Sequence, residues 1–440
     1  MNKLYFIGIK GSGMSALALI CQDLGYEVSG SDVPQVLFTQ KKLEERNIPI
    51  FEFSSDNIKG DADVIIGASF DETHAEVAAV FANPQIKYWY YYDYLAKLIS
   101  EHVSISVAGS HGKTTTTGML QTLLNANAST GYLIGDGNGQ LFQESEYFVV
   151  ESCEYKDHFL HYEPDYAIIT NIDLDHVDYF KDIDQYFDSF QQFVKQVKKG
   201  AVLYGDDPLI QKLDTHNLKV LYYGLNESND VYASNIEIDA HQTHFDLVIQ
   251  TQNKGRMFVN FVGLHNLKNL LGSVAIAIQL GFSDELIKDH INDFKGVNRR
   301  FVVEEFENHV YIDDYAHHPT EIKVTIEAAR LRFPESKIVV VYKPDRVSRI
   351  QYFEEAFKEA LETADRAFVL DFPKDAYKEN PEYSLEKFLK AMGNKITYLF
   401  DNELGIETLA KEEEAVYLFV SPKDIYKFKD KLKEHLGDLS

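Results

Sequence analysis

Two glycine-rich turns constrain this chain more than any other feature. Each stands between an apolar β-type run and an apolar-periodic helix. The first, Gly11-Ser12-Gly13-Met14-Ser15-Ala16, follows the run Lys3–Ile9 and fits G-x-G-x-x-G/A. The second, Gly109-Ser110-His111-Gly112-Lys113-Thr114, follows Val103–Ala108 and opens a helix expected over Thr114–Leu124. It reads as a shortened P-loop, with Val107 where the full Walker pattern has its first glycine. Glycine lets the backbone approach a phosphate, and the helix behind it supplies free N–H groups and a positive dipole end. Such turns belong between a parallel strand and its crossover helix, so α/β units are expected in tandem.

A chain of 440 residues allows two or three domains at about 150 residues each. Its net charge of −26 argues against a nucleic-acid-binding face, although nucleotide binding needs only a local positive field. Cys21 and Cys153 are the only cysteines, too few for a disulfide framework, which fits a reducing, cytoplasmic setting. The apolar start Leu4–Ile20 is broken by Gly8, Lys10, Gly11 and Gly13, whereas a membrane span needs about 20 predominantly apolar residues. No membrane association is expected.

Three blocks emerge, at 1–97, 98–297 and 298–440. In the first, a helix over Met14–Leu24 leads to strands Glu27–Ser29 and Val64–Gly67. The second adds strands Tyr147–Glu151, Tyr166–Asn171 and Ala201–Tyr204, an antiparallel patch over 230–262 and a helix over Leu267–Leu280. The third alternates strand Val310–Asp313, helix Thr320–Leu331, strand Lys337–Tyr342, helix Gln351–Thr363 and strand Arg366–Leu370. A strand at Ala415–Val420 and a helix after Pro422 complete it.

The first turn suits the diphosphate of either NAD or a UDP-sugar, and Asp32, about 20 residues on, suits a ribose hydroxyl. At the second turn, the loop amides and Lys113 suit β- and γ-phosphates, and the Thr114 hydroxyl suits Mg²⁺. Glu151, at a strand end with Glu154 close behind, is placed to hold Mg²⁺ directly or through water. Asn171, Asp173, Asp175, His176 and Asp178 follow another strand, either as further oxygen and imidazole ligands or as a solvated acidic loop. A dehydrogenase has no use for the second cradle. Two cradles favour an enzyme that brings a nucleoside diphosphate compound and ATP together.

With these segments in place, the chain resembles the Mur ligases. The resemblance rests on Gly8–Ser15, the Gly109–Thr116 loop, Glu151–Tyr155 running into His158-Phe159-Leu160, Thr170–Asp173 and Asp175-His176. It continues through His265-Asn266 with Asn269, Gly296–Phe301 and Asp313-Asp314-Tyr315-Ala316-His317-His318-Pro319-Thr320-Glu321. It implies an α/β enzyme of three domains: Rossmann-like N-terminal, central P-loop ATPase-type, and Rossmann-like C-terminal. It also implies an ATP- and Mg²⁺-dependent reaction. The lactyl carboxylate of UDP-N-acetylmuramate takes the γ-phosphoryl group, and the amine of L-alanine attacks the acyl phosphate, in peptidoglycan precursor synthesis. Another amino acid or a peptide as acceptor, or a non-catalytic UDP-muramate-binding relative, are the alternatives. A monomer or homodimer is expected.

The resemblance also implies roles. Gly11, Ser12, Gly13, Met14 and Ser15 would bind the UDP diphosphate, Asp32 the nucleoside, and His158 the muramyl end. Gly109, Ser110, His111, Gly112, Lys113, Thr114 and Thr115 would bind ATP phosphates, with Asn266, Asn269 and Tyr315 at adenine and Asp314 at ribose. Thr114, Glu151, His176 and His265 would serve metal, and Arg300 the γ-phosphate. Lys113, Glu151, His176, Arg300 and His318 would carry catalysis, with His318, Arg349 and Asp345 on the amino-acid side. Gln191 stands where some relatives carry a carbamylated lysine, so no carbamate is expected. The chain departs from the pattern twice more. Asp345 replaces the histidine of Gln-Pro-His, and Ser421-Pro422-Lys423-Asp424 replaces Gly-Ala-Gly-Asp.

Overall fold

The computed structural model describes residues 2–437, apart from 217, 307–308, 375, 392–395 and 413. Three sheets divide the chain. The first is fully parallel, in the order Ile50–Glu52, Glu27–Asp32, Lys3–Ile7, Asp63–Ile66, Tyr88–Tyr90. The strand order reverses beside Lys3–Ile7, the crevice where doubly wound sheets bind ligands, and the first glycine turn follows that strand.

The second sheet has ten strands. Its heart is Val103–Ala108, flanked in parallel by Tyr147–Glu151 and Tyr166–Ile169. Beyond Tyr166–Ile169 come Gly200–Tyr204 and Lys219–Gly224, then the antiparallel run Val231–Ile238, Thr243–Ile249 and Gln252–Val259. On the other side, Tyr147–Glu151 pairs with Thr130–Ile134, which forms a hairpin with Asn138–Gln140. The third sheet runs Val302–Phe306, His309–Asp314, Ala415–Val420, Lys337–Tyr342, Arg366–Val369, Ile396–Tyr398, parallel except for its first pair.

The central parallel strands are mostly apolar, broken in Val103–Ala108 by the buried Ser104 and Ser106, because both faces are covered by helices. Ile105, Val107, Val149, Ile168 and Val202 are all fully buried. The N-terminal sheet joins the central one through packing: the helix Ser12–Asp23 lies on the hairpin. An added Cβ at Gly139 would meet the Ala16 carbonyl oxygen at 2.3 Å, so the approach needs glycine there.

The alternating α/β pattern agrees with the sequence reading, and three differences have physical reasons. The helix expected over Gln351–Thr363 is two helices, Val347–Tyr352 and Glu354–Leu361, broken at Phe353 (φ −108°, ψ 26°). Phe353 turns its ring edge onto His318, 4.7 Å between centroids, a tertiary contact that overrides helical propensity. The helix Ile183–Gln196 has the stripe Tyr186, Ser189, Phe190, Phe193 and Val194 and an Asp182 N-cap, which the sequence reading passed over. The three-residue edge strands Ile50–Glu52 and Tyr88–Tyr90 are too short for periodicity to reveal. No helix among the described residues is long and apolar enough to cross a membrane.

Candidate active site

The second glycine turn sits at the carboxyl end of the central strand. Gly109 (φ +135°) and Gly112 (φ +81°) adopt conformations open to glycine, and both are crowded. A Cβ on Gly109 would lie 2.0 Å from Thr170 Oγ1, and one on Gly112 2.5 Å from Asn269 Oδ1. Neighbouring strand ends and the helix Leu264–Gln279 therefore clamp the loop, and they bring Asn269 to its rim. Asn266, one turn earlier, donates instead to the Val262 carbonyl.

Lys113 opens the helix Lys113–Asn125. Its Nζ donates to the Gly109 and Ser110 carbonyls at 2.5 and 3.0 Å and lies 2.9 Å from Glu154 Oε2. Burial would lower its pKa, but Glu154 and its acidic neighbours hold it above the ordinary lysine value. Glu154 is fully buried. Burial alone would raise its pKa, yet Lys113 and His176 pull it down to about 2. His176 Nε2 is 3.4 Å from Glu154 Oε1, and its ring lies against Tyr155. The Tyr186 hydroxyl bridges Ser110 Oγ and Glu154 at 3.0 and 3.3 Å.

Next to Lys113, the Thr114 hydroxyl donates to Glu151 Oε1 at 3.0 Å, and the Gly135 N–H donates to Glu151 Oε2 at 2.6 Å. Arg300, from the C-terminal block, donates to Thr114 Oγ1 at 3.4 Å. Burial raises the Glu151 pKa against the pull of Lys113. Two hard oxygens 3.0 Å apart match adjacent corners of an Mg²⁺ octahedron, whose ligands at about 2.1 Å lie about 3.0 Å from one another. Thr114 and Glu151 therefore fit Mg²⁺.

The first glycine turn reaches this cluster through the hairpin loop. Gly135 holds Glu151, and two residues on, the Gly137 carbonyl accepts from Ser15 Oγ at 3.4 Å. Asp32 is the last residue of its strand, and its oxygens accept from the Lys10 and Val33 N–H groups at 2.7 and 2.8 Å. It shapes the turn from beneath. The loop after it brings Phe38 onto the Arg299 guanidinium, so the first and third blocks also touch.

A second seam joins the central and C-terminal blocks. His111 Nε2 is 3.0 Å from Asp173, and its Nδ1 is 3.4 Å from Glu321. Burial works against the charged ring, but Asp173 and Glu321 lift its pKa to about 9. The His318 ring lies 4.7 Å away and is pushed down to about 4 by burial and by His111. His318 Nδ1 accepts the Thr320 N–H, capping the helix Pro319–Arg332. Farther along, Arg349 is 3% exposed. Its Nη1 makes 2.8 Å bonds to both oxygens of Asp345, and its Nε donates to Asp175 at 3.0 Å. Arg346 pairs with Asp178.

Lys113, Thr114, Glu151, His176 and Arg300 thus gather at one point, with Asn269 at its rim. His158 stacks on Tyr92 at 5.2 Å and meets Tyr155, the ring beside His176, edge-on at 6.4 Å, with burial lowering its pKa to about 4. His265 folds against Gly263 at the start of its helix and shares no hydrogen bond with Glu151 or His176 among the described residues; burial lowers its pKa to about 4. Asp314 accepts from the Phe301 and Ala316 N–H groups, and burial raises it to about 6. The Tyr315 ring lies between Arg299 and Arg300, at 5.2 and 5.1 Å. Sequence reasoning missed Tyr186 and Arg346 as site residues. Tyr186 was legible only through its overlooked helix, and Arg346 had no local signal.

The family is now clear from both geometry and comparison. The chain belongs to the Mur ligase family. Three family models cover it in order: the Mur ligase family catalytic domain over residues 3–102, the Mur ligase middle domain over 107–277 and the Mur ligase glutamate ligase domain over 299–422. Among solved structures, it is similar to the UDP-N-acetylmuramate–alanine ligase of Thermotoga maritima, with 24% identity, all of both chains covered and a TM-score of 0.82. It is also similar to a murein peptide ligase of Psychrobacter arcticus, with 22% identity, all of both chains covered and a TM-score of 0.74. A third similar structure is the ligase MurF of Thermotoga maritima in complex with ADP, with 20% identity, 96% of this chain and 98% of that one covered and a TM-score of 0.67.

Proposed function

We propose that the chain is an ATP-dependent ligase that joins L-alanine to the lactyl carboxylate of UDP-N-acetylmuramate in the cytoplasm. One observation carries the reading: a single loop, Gly135–Gly137, bonds Glu151 of the phosphate cluster on one side and Ser15 of the first glycine turn on the other. A UDP-sugar held at the first turn then reaches the triphosphate held at the second.

The chemistry explains the residues. A carboxylate is a poor electrophile, because its oxygen leaves badly and its charge repels nucleophiles. Phosphorylation removes both obstacles, but it brings two anions together. Two unit charges at 4 Å repel by about 4 kcal/mol at an effective dielectric of 20. Lys113, Arg300 and the N-terminus of Lys113–Asn125 offset that repulsion at the transferring group. Thr114 and Glu151 would hold Mg²⁺, which neutralises phosphate charge when bound. The lactyl oxygen attacks the γ-phosphorus and ADP leaves; the amine then attacks the acyl carbon and phosphate leaves. With Nδ1 accepting from Thr320, the proton of neutral His318 sits on Nε2, a buried atom without a hydrogen-bond partner among the described residues. That N–H is suited to donate to a developing oxyanion rather than to act as a base.

The test is phosphate release from ATP with UDP-N-acetylmuramate against a panel of single amino acids and a murein tripeptide. Release that depends on L-alanine is expected. No release with any acceptor would overturn the reading, and release with the tripeptide alone would make the chain a peptide ligase.

A further inference from the structure

The seam between the central and C-terminal blocks holds a second set of metal-type donors, apart from Thr114 and Glu151. His111, Asp173 and His318 each offer one ligand atom, and the three atoms all lie within 4.8 Å of one another. His111 Nε2 is 3.0 Å and His318 Nδ1 is 3.8 Å from the same oxygen, Asp173 Oδ2. Tetrahedral ligands about 2.0 Å from an ion lie about 3.3 Å from one another. The two spacings bracket that edge.

Each donor is fixed by its own element. The His111 N–H donates to Asn171 Oδ1 at 2.9 Å, the Asp173 N–H donates to Ser110 Oγ at 2.8 Å, and His318 caps the helix Pro319–Arg332. The groups around the trio are those a metal site uses. A ligating imidazole ordinarily turns its other nitrogen to a carboxylate. His111 does so, with Nδ1 3.4 Å from Glu321 Oε1. The Thr320 hydroxyl donates to Asp173 Oδ2 at 2.8 Å and orients that carboxylate. His318 is 2% exposed, and its Nε2 has no hydrogen-bond partner among the described residues. Its Nδ1 accepts the Thr320 N–H at 3.3 Å, a long bond that an ion can replace. The Asp173 side chain is 41% exposed, which gives an ion its path from solvent. Two imidazoles and one carboxylate suit Zn²⁺, whereas Mg²⁺ takes an octahedron of oxygens.

We propose that His111, Asp173 and His318 bind a zinc-class divalent ion, which staples the phosphate loop to the C-terminal block and halts turnover. The ion takes the place of the proton on His111 Nε2, and Nδ1–H stays on Glu321. His111 and Asp173 belong to the central block and His318 to the C-terminal one, so a single ion holds the seam shut against product release. No ligand is shared with the Mg²⁺ pair, Thr114 and Glu151. The metal site stands on geometry alone, and only the loss of turnover rests on the ligase reading.

The experiment titrates the full chain, without nucleotide or Mg²⁺, with Co²⁺ alone, whose visible d–d band is strong in tetrahedral sites. Wild type should give that band, and one equivalent of Zn²⁺ per chain should abolish it. Asp173→Asn should lose the band, with His111→Gln as the second variant should that protein fail to fold. Glu321→Gln should weaken Zn²⁺ binding about 10- to 100-fold, the usual effect of removing a partner behind a ligating imidazole. Glu151→Gln should keep the band. No band in wild type, a band that survives Asp173→Asn, or one that is lost in Glu151→Gln overturns the site. Phosphate release by wild type under saturating Mg²⁺ should be lost as Zn²⁺ fills the site and should return with a chelator; release that persists with the site filled overturns the staple. Zinc bound by this trio in a chain that releases no phosphate with any acceptor, even free of zinc, would leave the metal site standing and sink the ligase reading.

Discussion

Replacing Lys113 with alanine separates what this residue does for the fold from what it does for the reaction. Lys113 Nζ is 2.9 Å from Glu154, which is fully buried. Removing one partner of a buried ion pair costs about 3–5 kcal/mol, because the other charge is stranded. His176 remains 3.4 Å from the same carboxylate, which places the loss near the low end, about 3 kcal/mol. At about 2–4 °C per kcal/mol for a domain of this size, the apparent Tm should fall by roughly 6–12 °C. Turnover should fall by at least roughly 10²–10³-fold, the scale of one lost transition-state donor. The double substitution Lys113→Ala/Glu154→Gln removes the stranded charge along with its partner. It should recover most of the Tm and none of the turnover. Thermal unfolding and phosphate release on the three proteins decide the matter. A single variant that unfolds within about 2 °C of wild type, or a double variant that turns over normally, would refute the reasoning.

Glu151→Ala removes the carboxylate proposed to hold Mg²⁺ beside Thr114, so the Mg²⁺ concentration for half-maximal phosphate release should rise at least roughly tenfold; an unchanged Mg²⁺ curve counts against that role. His111 is raised from 6.5 to about 9, so its contribution to the seam is full below about pH 6.5 and is lost as pH climbs toward 9. Apparent Tm should decline over that window in wild type, and His111→Gln should flatten the decline. Gly112→Ala puts a Cβ 2.5 Å from Asn269 at φ +81°, so equilibrium dialysis should show ADP binding lost while the circular dichroism spectrum keeps its native form.

Much of the architecture is local and was legible in the residues. The strands Val103–Ala108, Tyr147–Glu151, Lys337–Tyr342 and Ala415–Val420 have the bounds their apolar runs suggest, because buried parallel strands carry their own signature. Both glycine turns stand where a strand meets a helix; at the second, positive φ and close approach demand glycine at Gly109 and Gly112. The gathering of Lys113, Thr114 and Glu151 follows almost directly, since adjacent parallel strands end side by side.

What the chain's order of residues could not decide is which charges remain free. Asp175 and Arg349 are 174 positions apart, and Thr114 and Arg300 are 186 apart. Nothing local marks either pair. Arg349 stands between Asp345, four residues away, and Asp175 of the central block, and only the folded chain brings the second carboxylate to it. A local sequence can specify a strand, a turn or a cap, because those depend on bonds within a few residues. Ion pairing in a buried seam is a competition among groups that only tertiary packing brings within reach.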